Sequence, residues 1–475
     1  MNSKLFLAIP LFFLLLSCEN DTEKKTATYL GGEIVNSNDN YITLFKDNIL
    51  IDSILLNKDK KFSYSFEEKN FSAGLYTFRH TPESQVFYIE EGDSLLLRVN
   101  MDEFDESLMY TKDKSQENNF LMEMYLLNEK DNDLILSYYK MSPKDFAQKT
   151  DSIKDFKLER LTSLKNKYEF SENFTEVAQK TIDYEYYDLR ERYAYLINRY
   201  FSDFRNRIPK DFFDYRKKVN FNDQSIQSYY TYQRFLDNYL KNKAIEDCIK
   251  STPKDSLNYC FRVNTVGNLR QRLQIADSLF EIKGLRNRFL SNLAKKQVNF
   301  SVSDNQIDST IQLVNKFDLP QEQVTELEAL GSLQKQYFVG KNVSNAKLLS
   351  ANGEKIKIED ISRKPMITYT WSLYQESHKI HHHLINELRN KYPEITFIAV
   401  NIDEEDTKLW LKSIENFGYD KNFEYQIRDR KNKRYLYKSL LDKVLILDKK
   451  GTIVQNKLNL DSPNFENKIL QFLNQ

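Results

Sequence analysis

The chain has 475 residues, enough for about three domains of ordinary size. Its 69 basic and 69 acidic side chains cancel to zero net charge, so the composition gives no support to a nucleic-acid partner, which would need a basic surface. Hydrophobic residues make up 40%, enough for a sizeable core, and the scarcity of glycine (11) and proline (9) favours long helices.

Residues 1–18 have the pattern of an export signal. Lys4 supplies a positive charge, and residues 5–16 form an apolar run that is too short to span a membrane as a stable helix. The run ends in Leu15-Leu16-Ser17-Cys18, which resembles the lipobox of bacterial lipoproteins. By that resemblance Cys18 becomes the acylated N-terminus and residues 19–27 form a tether. We therefore expect a protein anchored by lipid to a bacterial membrane in the cell envelope, periplasmic or surface-exposed. The alternative is an ordinary secretory signal with a coincidental cysteine.

Residues 28–110 alternate between apolar and polar side chains with period two. Ile42 with Leu44, Val86 with Tyr88 and the run from Leu95 each place apolar side chains on one face. Turn residues such as Glu91-Gly92-Asp93 separate these runs. The pattern predicts an N-terminal antiparallel β-sandwich in which nothing looks catalytic.

Residues 111–337 are predicted to form a central all-helical domain. Ser142-Pro143 is typical of a helix start, and residues 178–200 repeat apolar side chains every three or four positions. Cys248 and Cys260 flank a predicted helix–helix turn, and in an exported chain they could form a disulfide. Two free buried thiols are an equal alternative, and the spacing matches no redox or zinc motif.

Residues 338–475 alternate strands with helices, which predicts an α/β sandwich. The sequence predicts these elements in order: strands at 346–349, 356–358 and 366–371, a helix at 377–391, a strand at 395–402, a helix at 407–417, a short helix near Leu436, strands at 444–448 and 452–457, and a last helix from Asn464.

Residues 364–378 organise this C-terminal domain. The run from Met366 to Trp371 predicts a buried strand, and a helix begins near Ser377 with Ile380, Leu384 and Leu388 on one face. A strand that leads through a turn into a helix N-terminus is a place where a thiolate or other anion is stabilised.

The motif Trp371-Ser-Leu-Tyr374 resembles the Trp-x-x-Trp that precedes Cys-x-x-Cys in the periplasmic, TlpA-like branch of the thioredoxin family. The element order and the segments 400–403 and 445–451 are similar to the same branch. Two stretches, 71–76 and 88–95, resemble the β-domain that often precedes its thioredoxin-like domain. The resemblance implies a thioredoxin fold and descent from thiol-disulfide oxidoreductases.

The resemblance fails at the catalytic positions. Gln375, Glu376, Ser377 and His378 stand where the family carries Cys-x-x-Cys, and no cysteine follows Cys260. The family's cis-proline would fall near Asp442 or Lys443, where this chain has no proline. A thiolate is required to attack a disulfide, so we expect the fold without the redox chemistry and with a reshaped substrate loop.

Four of the five histidines lie close together, at 378 and 381–383. His378 and His382 are four residues apart on one helix face, a spacing that can chelate Zn²⁺ or Cu²⁺, and His381 or Glu376 could complete a site. No distant ligand is evident, and surface histidines are the simpler expectation.

Three functions follow from these patterns. The first is a non-redox binding or scaffold module that holds an unidentified peptide or protein partner and is attached to a membrane through Cys18. The second is a thiol-disulfide oxidoreductase of the TlpA-like family, which would need Cys248 and Cys260 as its dithiol. The third is a metal-binding module at His378, His381 and His382. The sequence indicates no cofactor.

Overall fold

The computed structural model describes residues 27–474 except 38, 68, 70, 376, 405 and 429–438. The predicted signal with Cys18, most of the predicted tether, Glu376 and the helix predicted near Leu436 lie outside the described residues. The described chain forms two compact units. The first unit contains residues 27–129 and 160–178, and the second contains residues 130–159 and 179–474.

The first unit contains eight described strands in two four-stranded sheets. The strands are β1 (Tyr29–Val35), β2 (Tyr41–Lys46), β3 (Ile49–Leu55), β4 (Lys61–Ser65), β5 (Gly74–His80), β6 (Glu83–Ile89), β7 (Ser94–Asn100) and β8 (Met109–Lys112). One sheet has the order β4-β1-β7-β8 and the other β3-β2-β5-β6. Buried side chains of both sheets, among them Leu30, Phe78 and Leu95, form one hydrophobic core.

The first sheet differs from the antiparallel prediction at one pair. Strands β1 and β7 run parallel, with Tyr29 opposite Ser94, while the other pairs in both sheets are antiparallel. Four strands in the second sheet and one in the first separate β1 from β7 along the chain, so no hairpin forces them to run in opposite directions.

The last three residues of β6, from Phe87 to Ile89, are buried on both faces of the strand, so hydrophobicity does not tell the two faces apart there. Phe87 and Ile89 point into the sandwich core, whereas the sequence pattern assigned that role to Val86 and Tyr88. Tyr88 instead packs edge-on against Phe174, with 5.1 Å between ring centres. The prediction for this strand was therefore wrong in register by one residue, which reverses every side chain.

The region after β8 is helical. Its helices are α2 (Ser115–Leu136), α3 (Pro143–Tyr168), α4 (Glu172–Tyr200), α5 (Ser202–Arg205), α6 (Tyr230–Ser251), α7 (Val266–Leu279), α8 (Lys283–Phe300), α9 (Asp304–Val314) and α10 (Gln321–Lys335), and one short helix, α1 (Phe104–Ser107), lies between β7 and β8. Ser142 caps α3 as predicted, because its Oγ accepts the backbone N–H of Asp145 at 3.2 Å. Across the part of the chain that the structure describes, we find no helix with the length and hydropathy of a membrane span.

The C-terminal part of the second unit forms a seven-stranded sheet with helices. Its elements are β9 (Lys347–Ser350), β10 (Lys355–Lys357), α11 (Ile358–Ile361), β11 (Met366–Trp371), α12 (Ser377–Lys391), β12 (Thr396–Asn401), α13 (Thr407–Phe417), β13 (Glu424–Ile427), β14 (Val444–Leu447), β15 (Ile453–Leu458) and α14 (Phe465–Leu473). The strand order is β10-β9-β13-β12-β11-β14-β15, with β11, β12 and β13 mutually parallel.

Strand β11 lies at the centre of this sheet and is buried along its whole length. Ile367, Tyr369 and Trp371 pack on one face with α12 and α13, while Met366 belongs to the core on the opposite face. The continuous apolar and β-branched run is therefore explained by burial on both faces. This placement sets the C-terminal end of β11 and the start of α12 at one edge of the domain.

Candidate functional site

The turn between β11 and α12 is fixed by a carboxylate from the loop that follows β12. Ser372 Oγ donates to Asp403 Oδ1 at 2.9 Å, and the backbone N–H of Leu373 donates to Asp403 Oδ2 at 2.7 Å. The hydroxyl of Tyr374 donates to Asp406 at 2.8 Å. These bonds hold the segment that leads into the degenerate motif in one conformation.

Helix α12 begins at Ser377, as predicted, but buries a different face from the one expected. Ile380, assigned to the apolar face, is 70% exposed. The buried residues are instead His378, His381, His382, Ile385 and Leu388. Their spacing of three and four residues is that of a core-facing helix stripe, so three histidines occupy core positions. The expectation of surface histidines was wrong for these three.

His378, the last of the four positions that the resemblance assigned to the redox motif, is only 4% exposed. Its ring lies 5.1 Å from the Trp371 ring and 5.3 Å from the Phe417 ring, measured between centres. A hydrogen bond of 2.6 Å joins its Nδ1 to the hydroxyl of Tyr419. The N-terminus of α12 therefore presents a packed, hydrogen-bonded imidazole.

His382 lies one turn further along α12 and is bonded through both ring nitrogens. Its Nδ1 is 2.7 Å from the backbone carbonyl of His378, and its Nε2 is 3.1 Å from Glu424 Oε1. The ring stacks face to face on Tyr419, with 3.6 Å between ring centres. Strand β13 thus delivers a buried carboxyl group directly beneath the motif.

Burial favours the neutral forms of both His382 and Glu424. Burial raises the pKa of Glu424 well above its ordinary value, against the opposing effects of Arg389 and the Trp371 indole. Burial also lowers the pKa of His382 to about 4. A carbonyl oxygen can only accept, so Nδ1 of His382 carries the proton toward His378 and Nε2 is the acceptor. The protonated Glu424 carboxyl therefore donates to Nε2.

His381 and the loop before β14 meet at the opposite side of the motif. His381 Nε2 is 3.0 Å from Asp461 Oδ1, and its Nδ1 is 4.0 Å from Asp442. Asp442 has a φ of 53°, in the left-handed region. The backbone N–H of Lys443 donates to Thr370 Oγ1 at 2.9 Å. At the position predicted for the cis-proline, the chain therefore has a left-handed aspartate followed by a residue whose N–H is in use.

The amine of Lys443 is also buried. Loss of water lowers its pKa to about 8, and its Nζ donates to Gln334 Oε1 at 3.2 Å. The amine is therefore bonded to the end of α10 and not to the histidines of the motif. It is part of the packing that fastens this loop.

The geometry does not favour the metal hypothesis. The three buried histidines have separate partners, which are Tyr419, Asp461 and Glu424. Among the residues that the structure describes, no group of three or more His, Cys, Asp or Glu side chains is arranged to hold a metal ion.

The remaining predicted site residues are distributed as follows. Gln375 precedes α12, and its carbonyl accepts the N–H of His378 at 3.3 Å. Cys248 and Cys260 are joined by a disulfide with 5.6 Å between their Cα atoms, at the end of α6 and the turn that follows it. They belong to the helical region and are not part of the motif's surroundings.

Sequence reasoning missed Glu424 and the strand that carries it. Strand β13 has the sequence Glu-Tyr-Gln-Ile, and all four residues are buried. Four residues that alternate between polar and apolar side chains are too short a pattern to tell a half-exposed strand from a loop. No element was therefore expected here. A carboxyl group is a natural hydrogen-bond partner for a histidine. The cluster of histidines on α12 is therefore the signal that could have pointed to Glu424.

Comparison with known proteins gives similarities of fold alone. No protein-family model matches the chain, and no curated protein matches it. Among solved structures, it is similar to the thioredoxin domain of a thiol-disulfide oxidoreductase from Bacteroides vulgatus, at 16% identity over 28% of this chain and 96% of that one, with a TM-score of 0.25. It is also similar to a thiol:disulfide interchange protein from Bacteroides sp., at 19% identity over 29% of this chain and 91% of that one, with a TM-score of 0.24. At these scores we draw nothing about activity from them.

Proposed function

We propose that this protein is an envelope lipoprotein whose C-terminal, thioredoxin-like domain is redox-inactive and binds a peptide or protein partner. The observation that carries the proposal is His378. A buried imidazole, bonded to Tyr419 and packed between Trp371 and Phe417, fills the place of a reactive thiol. An imidazole cannot form a mixed disulfide, so thiol–disulfide exchange has no nucleophile there.

The second candidate, an oxidoreductase that uses Cys248 and Cys260, has less support. The two cysteines are 6% and 2% exposed and form the disulfide that closes the turn after α6. Catalytic disulfides are accessible and sit where a thiolate is stabilised, whereas this one is enclosed. We interpret it as a structural disulfide.

Exposed apolar side chains on the elements that flank the motif support partner binding. Phe417 is 46% exposed although it packs against His378, and Ile380 projects into solvent from the first turn of α12. Tyr374 is also exposed at the turn before the helix. Exposed apolar side chains on these elements suit a partner segment with apolar side chains of its own.

Insulin reduction tests the redox part of the proposal. We expect the wild-type protein with dithiothreitol to precipitate insulin no faster than dithiothreitol alone, and Cys248→Ser/Cys260→Ser to behave identically. Turnover by the wild type that persists in the double variant would contradict the proposal of a redox-inactive protein.

Binding to a reduced, alkylated and therefore unfolded protein tests the partner surface. We expect Phe417→Ser and Ile380→Ser together to weaken this binding about tenfold, as loss of two apolar contacts implies. Leu470→Ser on α14 is the matched control, since Leu470 is an exposed apolar residue of the same domain. Equal loss in the control would remove the support for this surface.

The membrane anchor is part of the same proposal. Support comes from the Leu-Leu-Ser-Cys ending of the N-terminal apolar run, which resembles a lipobox. Mass spectrometry of the mature protein should find an acylated Cys18 at the N-terminus, and an unmodified N-terminus at another residue would end this part.

A further inference from the structure

A pocket of about 390 Å³ lies in the helical part of the second unit. Its walls come from the end of α4, from α5 and from the loop between the disulfide and α7. Three arginines dominate the lining, with an aromatic ring and two amides beside them: Arg199, Arg205, Arg262, Phe261, Asn258 and Asn264.

The charges of this pocket are unbalanced. No aspartate or glutamate is among the described residues that line it. Some arginines elsewhere in the same helical region are neutralised, as Arg190 is by Asp151 at 2.7 Å and Arg216 by Glu191 at 2.6 Å. Within the described chain, none of the three pocket arginines has such an ion pair. The lining therefore carries positive charge with no acidic side chain among it, which favours an anionic ligand.

Two of the guanidinium groups are already held in position. Arg205 donates from Nε to the carbonyl of Asn198 at 2.8 Å, and its guanidinium lies 3.6 Å from the centre of the Phe261 ring. Arg199 donates from Nη1 to the hydroxyl of Tyr195 at 2.6 Å. Each group therefore has further N–H donors for a ligand, at a small entropic cost because the side chains are preorganised.

The third arginine is on a loop that the disulfide fastens. Cys260 is bonded to Cys248 at the end of α6, and Phe261 and Arg262 follow it directly. The loop is also closed by hydrogen bonds, since the Arg262 N–H donates to the Tyr259 carbonyl at 3.0 Å and Thr265 Oγ1 donates to the Arg262 carbonyl at 3.2 Å. The covalent link thus fastens this wall of the pocket to the end of α6.

We propose that this pocket binds a phosphate-type oxyanion, either a small phosphorylated solute or the headgroup of an anionic phospholipid. Guanidinium groups present planar, paired N–H donors that match the oxygens of phosphate, and three of them suit a doubly charged group. The pocket is small, so it fits one such group with a short substituent and not a polymer.

Titration with inorganic phosphate, followed by calorimetry at low salt, tests the site directly. The full-length chain with Cys18→Ser is used throughout, so that no acyl group contributes. We expect saturable binding that Arg262→Ala weakens about tenfold, the effect of losing one charge-assisted contact. Arg262 makes no side-chain bond in the described structure, so this variant is expected to keep the fold, which circular dichroism checks.

Arg207→Ala is the matched control. Arg207 is an exposed arginine close in sequence to Arg205, and it does not line the pocket. Its removal changes the net charge equally, and we expect phosphate affinity to stay within about twofold. A loss equal to that of Arg262→Ala would show non-specific attraction and overturn the proposal.

Sedimentation with vesicles separates the two sources of the ligand. A lipid headgroup would be identified if phosphatidylglycerol vesicles sediment with the wild-type protein but not with Arg262→Ala, and phosphatidylcholine vesicles do not sediment with the wild type. Saturable phosphate binding without vesicle binding would identify a free solute. Absence of phosphate binding up to about 10 mM, together with no Arg262-dependent vesicle binding, would refute the site.

Discussion

The buried pair of His382 and Glu424 determines how many protons the folded domain holds. In the fold, the pair keeps one proton between Nε2 and Oε1 from about pH 4, the pKa of His382, up to the raised pKa of Glu424. In the unfolded chain, an ordinary histidine loses its proton near pH 6.5 and an ordinary glutamate near pH 4.3. Between these two values both states hold one proton, so the pair gives no pH dependence there. Between about pH 6.5 and the raised pKa of Glu424, only the folded state holds the proton, so stability falls as pH rises.

Substitution of Glu424 by glutamine tests this proton count. The glutamine cannot ionise, so Glu424→Gln loses the extra proton of the folded state while unfolded His382 still titrates. We expect the wild type to gain stability relative to the variant by about 1.4 kcal/mol for each unit that pH is lowered between pH 7 and 5. Urea unfolding at several pH values measures the difference.

A matched control for this experiment lies on the surface of α12. Glu387 is exposed and contacts His383 at 3.4 Å across one helix turn. Glu387→Gln should therefore differ from the wild type by less than about 0.5 kcal/mol at every pH. If the Glu424→Gln difference were equally independent of pH, the carboxyl group would not be protonated in the fold.

At the scale of the elements, the strongly patterned ones were predictable and the site was only partly so. Strand β11 and helix α12 match their predicted bounds, because a six-residue apolar run and a helix start after a turn are local signals. Strand β13 was missed, because its Glu424 and Gln426 look solvent-exposed in sequence and become buried only through their partners. The identity of the buried face of α12 likewise depends on Tyr419, Asp461 and Glu424, which are distant in sequence.

The loop that leads into β14 has a backbone conformation that differs from the one a proline would require. Asp442 has a φ of 53°, whereas a proline ring fixes φ near −65°. Lys443 needs its N–H to bond Thr370. The sequence predicted a reshaped loop here, and the observed backbone is incompatible with proline at either position.

Proline and glycine at position 442 should therefore have opposite effects. We expect Asp442→Pro to destabilise the protein by about 3 kcal/mol or more, because the loop must change its backbone conformation. Asp442→Gly should stabilise it by about 1 kcal/mol, since glycine occupies the left-handed region without steric cost. Urea midpoints give both values, and an Asp442→Pro variant as stable as the wild type would show that this loop is adaptable.

At the scale of the whole molecule, the end of the helical region is part of the C-terminal core. Leu333 on α10 is fully buried among residues of that domain, including Val343 and Met366. Just beyond α10, the carbonyl of Tyr337 accepts a hydrogen bond of 2.8 Å from Asn456 Nδ2 on β15. The sequence placed the start of this domain at residue 338, because the change in composition near Gly340 marks where strands begin and says nothing about which helix covers the sheet.

A fragment of residues 321–475 should accordingly be more stable than one of residues 338–475. Loss of α10 removes the burial of Leu333, worth about 2 kcal/mol, and the hydrogen bond that Gln334 accepts from Lys443, worth about 1 kcal/mol. We expect the shorter fragment to unfold at lower urea, with a free energy of unfolding reduced by about 3 kcal/mol. Leu333→Ala in the longer fragment isolates the packing contribution, and we expect it to cost about 2–4 kcal/mol. Equal stability of the two fragments would mean that α10 only rests on the sheet. A clear difference would make α10 the helix that couples the loop at Asp442 and Lys443 to the helical region, since Gln334 bonds the amine of Lys443.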